Sequence, residues 1–252
     1  MRDITTLNRL LTVRQNFVAN VSHELRTPLA VIQGYMETIT SEEEDSEMRL
    51  ALTSRLVNPL SRMQSLVNDL LLLTRLESTE SEDHASQVEL ASVVRNAVAG
   101  LGDLNDARQR VQISSEGDVH ITGSVSELHS LCVNLISNAL RYSSEGQPVE
   151  VSVQRTEDSV RLAVRDYGVG IAPEHLERLT ERFYRVDMAD SRTLGGTGLG
   201  LAIVKHVLRR HNSALQIESE LGQGSVFSCE FAPSEASTSE SAASAAAPSE
   251  KL

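Results

Sequence analysis

The sequence predicts an α+β protein in two parts: a long antiparallel two-helix hairpin, then a sandwich of strands with helices on one side. Three observations predict it. Apolar residues recur at helical spacing from about Leu10 to Leu76, short runs beyond residue 88 alternate apolar and polar residues, and the polar stretch "LESTESEDHASQ" separates the two regimes.

In the first regime Val18, Val21, Leu25, Ile32, Tyr35 and Ile39 fall on alternating steps of three and four, with Pro28 in the remaining slot of a heptad seam. Pro28 removes a backbone donor and is expected to interrupt and kink this helix. The acidic patch "TSEEEDSE" ends the pattern, and a second helix follows through Leu52, Leu56, Leu60, Met63, Val67 and Leu70. Each apolar stripe is too wide for one partner helix to cover, so a second copy should complete a four-helix bundle, making the chain a homodimer.

In the second regime a helix around Leu90 to Leu101 leads into "RVQISS" and "VHITG", then a helix from Ser126 to Tyr142. The strands "VEVSVQR" and "SVRLAVRD" join through the turn "TEDS". A helix "LAIVKHVLRRH" and a hairpin turned at Gly222 to Gly224 close the domain. The divisions are 1–14, a leading helix or linker; 15–78, the hairpin; 79–87, a linker; 88–233, the sandwich; and 234–252, a Ser/Ala-rich tail expected to be disordered.

Composition narrows the function. A net charge of −12 without basic clusters argues against nucleic acid. Cys132 and Cys229 form no CxxC pair, so neither zinc nor a disulfide framework is indicated, and a reducing compartment fits. His84, His120, His129, His175, His206 and His211 form no recognisable ligand set. No apolar run approaches the roughly 18 residues of a membrane span, and the start lacks a signal-peptide core, so the chain as written is expected to be cytoplasmic.

Chemistry concentrates in four places. His23 falls on the outward face of the first helix, with Glu24 beside it and Thr27 one turn on. A lone exposed histidine is usually just solvated, but the kink expected from the Pro28 that follows is one that packing does not need. "HELRT" lacks the second histidine of a zinc-protease motif. An exposed imidazole beside a carboxylate suits nucleophilic attack, with Glu24 able to accept the Nδ1 proton. In "NLISNALRYS", Asn134 and Asn138 share one helix face beside the apolar stripe, where a Mg²⁺ on phosphate oxygens would satisfy an amide oxygen. "RDYGVGI" ends a strand at Asp166 and turns through Gly168 and Gly170. "LGGTGLGLAIVKH" runs Gly195, Gly196, Gly198 and Gly200 onto a helix start, whose amides suit phosphate. The strand that a Rossmann site needs and the Walker lysine are both missing.

Together these motifs resemble the sensor histidine kinases of two-component systems from about Phe17 to Phe231. "FVANVSHELRTPL" resembles the phosphoacceptor box. "NLISNALRYS", "DYGVG", "ERFYRVD" and "GGTGLGLAIVKH" resemble, in the family's order, the N, G1, F and G2 boxes of the Bergerat-type (GHKL) α/β sandwich that binds ATP. The wording of "LTERFYRVD" is especially similar to the kinases that sense phosphate.

The resemblance implies a dimerisation and histidine phosphotransfer hairpin, an ATP-binding domain, the cofactors ATP and Mg²⁺, and a response regulator receiver domain as partner. It makes His23 the phosphorylated residue, Glu24 its general base, Thr27 the polar residue used in dephosphorylation, and Arg185 a stabiliser of the transferring phosphoryl. Asn138, supported by Asn134, would hold Mg²⁺, and Asp166 would select adenine. Gly168 and Gly170 would let the chain pass the base. Gly196, Thr197, Gly198, Leu199 and Gly200 would flank the phosphates, and Tyr142 would line the pocket. Many relatives have lysine where this chain has Arg141, which keeps the charge but changes its geometry. The alternatives are a chain acting mainly as a response-regulator phosphatase, a non-catalytic nucleotide-binding dimeric adaptor, and a gyrase-like or Hsp90-like ATPase. Left open are the signal, the regulator's identity, cis or trans phosphorylation, and whether the chain is the cytoplasmic part of a membrane receptor.

Overall fold

In the computed structural model, which describes residues 2–40, 46–78, 86–102, 104, 107–117, 119–186 and 196–234, the first helical pattern forms one helix, α1 (Arg2–Ile39). Pro28 does not interrupt it. The proline costs one backbone hydrogen bond, and its ring is buried within the hairpin, so helix continues on both sides. The second pattern is broken where one continuous helix was expected. α2 (Ser46–Arg55) and α3 (Val57–Glu77) meet at Leu56, whose N–H donates to Thr53 O at 3.2 Å, the spacing of a tight turn. Pro59 explains the break: it has no N–H for the Arg55 carbonyl and is better tolerated in the first turn of a new helix. Val18, placed on the inward seam by spacing, is 57% exposed, while Val21, Leu25, Ile32, Tyr35 and Ile39 are half-buried.

The second domain begins earlier than expected. Strand β1 (Ser86–Glu89) takes the end of the anticipated linker and pairs antiparallel with β3 (His120–Gly123), setting Val88 opposite Ile121. Helix α4 (Leu90–Gly100), a short α5 (Ala107–Arg110) and β2 (Val111–Ser115) follow. Helix α6 (Val125–Tyr142) starts at Ser124, whose hydroxyl accepts from the Glu127 N–H. Then come β4 (Val149–Arg155), β5 (Val160–Asp166), α7 (Pro173–Leu176), α8 (Gly200–Arg210), β6 (Leu215–Glu220) and β7 (Gly224–Phe231).

Five strands form one sheet in the order β2-β4-β5-β7-β6, with only the β2–β4 pair parallel. Alternation decides its faces. Val149, Val151, Val153, Val160, Leu162 and Val164 are buried beneath α4, α6 and α8, whose Val94, Leu131, Leu135 and Ile203 complete an aliphatic core. The opposite face carries Glu150, Ser152, Arg161 and Arg165. Both cysteines lie in the core, where burial pushes the Cys132 thiol up to about 12 and leaves it unreactive. The acidic patch at 41–45, most of the anticipated linker at 79–85 and the tail from 235 lie outside the described residues. Among the described residues no helix is long and apolar enough to cross a membrane.

Candidate active site

A cavity of about 550 Å³ opens between α6, the segment after β5, the start of α8 and helix α3 of the hairpin. Its floor is apolar, with Leu101, Val133, Ile171, Leu201 and Phe227. Its polar rim holds Asn134, Asn138, Arg141, Tyr142, Asp166, Arg185, Gly196, Thr197, Gly198 and Gly200, nearly all the nucleotide-site residues that the sequence nominated. Tertiary structure adds Ser225, Tyr184, Ser65 and Asp69.

Asp166 is 4% exposed at the end of β5. It accepts a hydrogen bond from Gly168 N–H at 2.9 Å and others from Ser225, which β7 sets directly opposite. Burial pushes its carboxyl above the usual carboxylate range, and these hydrogen bonds offset only part of that. The sequence offered no sign of Ser225, because only strand register brings it there.

The glycines act differently from one another. A Cβ at Gly168 would lie 2.0 Å from Tyr142 O, and one at Gly170, whose φ is +68°, 2.0 Å from Glu220 O. Both therefore admit a neighbouring stretch of protein backbone, where the sequence suggested passage of a base; Gly170 also lines the cavity and Gly168 does not. Gly200 begins α8 against Asn134, whose Oδ1 would be 2.5 Å from a Cβ there. The Asn134 amide nitrogen donates to Ser130 O at 2.8 Å, which turns the oxygen toward that helix start. Arg141 and Arg185 converge on Gly196, their guanidinium nitrogens 3.6 and 4.0 Å from where its Cβ would stand. Burial holds both guanidinium groups below their ordinary value. Thr197 Oγ1 accepts from Leu199 N–H at 3.3 Å, bracing the loop before α8, while the Leu199 side chain is fully buried in the core and not in the cavity. Gly195 is outside the described residues.

The hairpin and the sandwich touch at several points. Phe17 packs on Phe183 with ring centroids 5.9 Å apart, and Arg182 lies over the Phe17 ring and pairs with Glu77. Phe183 has φ of 62°, rare for an aromatic residue, and donates its N–H to Gly198 O at 2.8 Å. His23 and Thr27 are exposed on α1, outside the cavity, with the Thr27 hydroxyl donating to His23 O at 3.3 Å. Glu24 has a partner that its sequence position did not suggest: its Oε2 accepts from Arg62 Nη2 at 3.0 Å. Of the remaining histidines, His211 is held by Ser124 N–H on Nε2 and Val207 O on Nδ1, and His175 pairs with Tyr184. Among the described residues no His, Cys, Asp or Glu cluster could hold a metal.

Comparison with known proteins agrees with this geometry. Residues 13–79 match the His Kinase A (phospho-acceptor) domain, and residues 123–235 the Histidine kinase-, DNA gyrase B-, and HSP90-like ATPase. The phosphate regulon sensor protein PhoR of Pseudomonas aeruginosa is 44% identical over 245 residues, covering 95% of this chain and 55% of that protein. The chain spans about half the length of the curated relatives it matches. Among solved structures, full-length ShkA in complex with AMPPNP is 27% identical with a TM-score of 0.62, covering 88% of this chain and 47% of that one. The Acinetobacter baumannii histidine kinase AdeS shares the fold at a TM-score of 0.65 and 24% identity, covering 83% of this chain and 97% of that one. A phosphoacceptor-type hairpin packed on an ATPase-type sandwich, with a polar-rimmed cavity where the two meet, shows that the chain belongs to the sensor histidine kinases of two-component systems.

Proposed function

We propose that the chain phosphorylates His23 from Mg²⁺-ATP and passes the phosphoryl group to an aspartate of a response regulator receiver domain, working as a homodimer in phosphate sensing. The observation that carries the reading is the cavity itself: a buried carboxylate, two helix-borne amides, two arginines and a glycine-lined helix start converge there, beside the hairpin that bears an exposed histidine. The likeness to PhoR supports the phosphate-sensing branch.

The residues fit the nucleotide. Asp166, buried and fed by backbone and hydroxyl donors, can accept from an adenine amino group, and guanine presents a carbonyl at that position. Asn138 and Asn134 offer amide oxygens to Mg²⁺, which when bound neutralises charge on the phosphates. The amides at the start of α8 and the guanidinium groups of Arg141 and Arg185 orient the polyphosphate. His23 Nε2 then forms a bond to the γ-phosphorus as the bond to the ADP oxygen breaks, and the proton on Nδ1 passes to Glu24 or to solvent. Because Glu24 is paired with Arg62 and His23 lies outside the cavity, transfer requires the ATP-binding domain to shift along the hairpin or to serve the partner's histidine. The face around His23 and Thr27 is then open to the regulator.

Incubation with γ-labelled ATP and Mg²⁺ tests this. Acid-labile, alkali-stable label on the wild type, absent from His23→Gln, is expected. Nucleotide binding without label would leave the phosphatase or adaptor reading instead.

A further inference from the structure

On α3 the residues Arg62, Ser65 and Asp69 follow one another at steps of three and four, so they share one face. Ser65 and Asp69 line the cavity of the ATP-binding domain, although both belong to the hairpin. Asp69 Oδ2 accepts from Thr197 Oγ1 at 2.8 Å, so a carboxylate of one domain rests on the loop that opens α8 in the other. That loop is the end of the cavity where Arg141 and Arg185 meet at Gly196, and Arg141 is close enough to act on the Asp69 charge. Asp69 thus holds, at the cationic end of the cavity, a hydroxyl donor that suits an anion, within the field of Arg141.

Resting on the nucleotide reading of this cavity, we propose that Asp69 is an anionic latch: its carboxylate competes with the polyphosphate of a bound nucleotide for Thr197 and the field of Arg141, so that phosphate binding there loosens the ATP-binding domain from α3. Two like charges cannot share this hydroxyl and this guanidinium field without mutual repulsion in a half-buried site. Other contacts, among them Phe17 with Phe183, Glu77 with Arg182 and His206, and Leu66, Leu73 and Leu76 in the shared core, involve residues that do not line the cavity and would still tether the domain, so the latch regulates docking without being its whole basis.

The test compares ATP and adenosine binding to the intact chain by titration calorimetry with Mg²⁺, in wild type and Asp69→Asn. Asparagine keeps an acceptor for Thr197 and removes the charge. The latch requires ATP to bind about three- to ten-fold more tightly to the variant, with adenosine affinity unchanged. Asp69→Ser, which also removes the charge, must show the same pattern and replaces Asp69→Asn if that variant unfolds. Unchanged ATP affinity overturns the proposal. Weaker ATP binding also overturns it, because Asp69 would then be aiding the cation, and an equal shift for adenosine overturns it by showing a general change of the pocket. Failure of the wild type to bind ATP would overturn the nucleotide reading together with the latch, whereas each other adverse result leaves that reading standing.

Discussion

Asp166, proposed to recognise adenine, also bears on stability. Its carboxyl is protonated more readily in the folded than in the unfolded chain, because burial disfavours the charge. Its contribution to folding is therefore full below the ordinary carboxylate range and is lost as pH rises through the raised value. Asp166→Asn should raise Tm more at about pH 8 than at about pH 4, measured by circular dichroism melting, and should lose the preference for ATP over GTP. An equal Tm change at both pH values would show that the buried charge does not set stability. At this scale the sequence was informative where a residue type had no structural reason to be there: an exposed histidine before a proline, two amides on one helix face, an aspartate at a strand end. It said nothing of Asp69, Ser65 or Ser225, ordinary residues whose placement depends on distant partners.

Among the elements, strands with clean alternation were legible: β4 and β5 bury a valine or leucine at every second position as their pattern indicates. β1 was not, because four residues reading Ser-Gln-Val-Glu contain a single apolar side chain and gain strand character only by pairing with β3. The break at Leu56 was available from Pro59, yet the apolar stripe ran across it without losing phase. The turn after β5 depends on a close approach of backbone to backbone. Gly170→Ala would place a Cβ 2.0 Å from Glu220 O at a φ of +68°, so it is expected to cost at least about 1–3 kcal/mol and to weaken nucleotide binding together. Chemical denaturation and ATP titration of the same variant check both, and a variant with native stability and affinity would mean that this turn yields freely.

For the whole molecule the central fact is uncovered apolar surface. Among the described residues, nine of the fifteen exposed large hydrophobic residues lie on the hairpin, Val18, Leu29, Leu60 and Leu71 included. A patch of this kind on an otherwise well-packed chain calls for a partner, which is how the sequence pattern implied a four-helix bundle. Leu60→Glu combined with Leu71→Glu should shift the chain from dimer to monomer in sedimentation velocity while ATP affinity stays within about two-fold, since neither residue lines the cavity. A variant that remains dimeric would place the interface elsewhere.

By itself the sequence determined the two-part architecture, the exposed position of His23 and many of the residues that line the cavity, because periodicity and short motifs are local and one chain segment suffices to express them. Tertiary structure alone decided that Gly168 and Gly170 serve protein backbone, that Leu199 belongs to the core, that Glu24 turns to Arg62, and that Asp69 reaches Thr197 across 128 positions of sequence. Those outcomes depend on which surfaces meet when the hairpin and the sheet pack, and no local pattern carries that information.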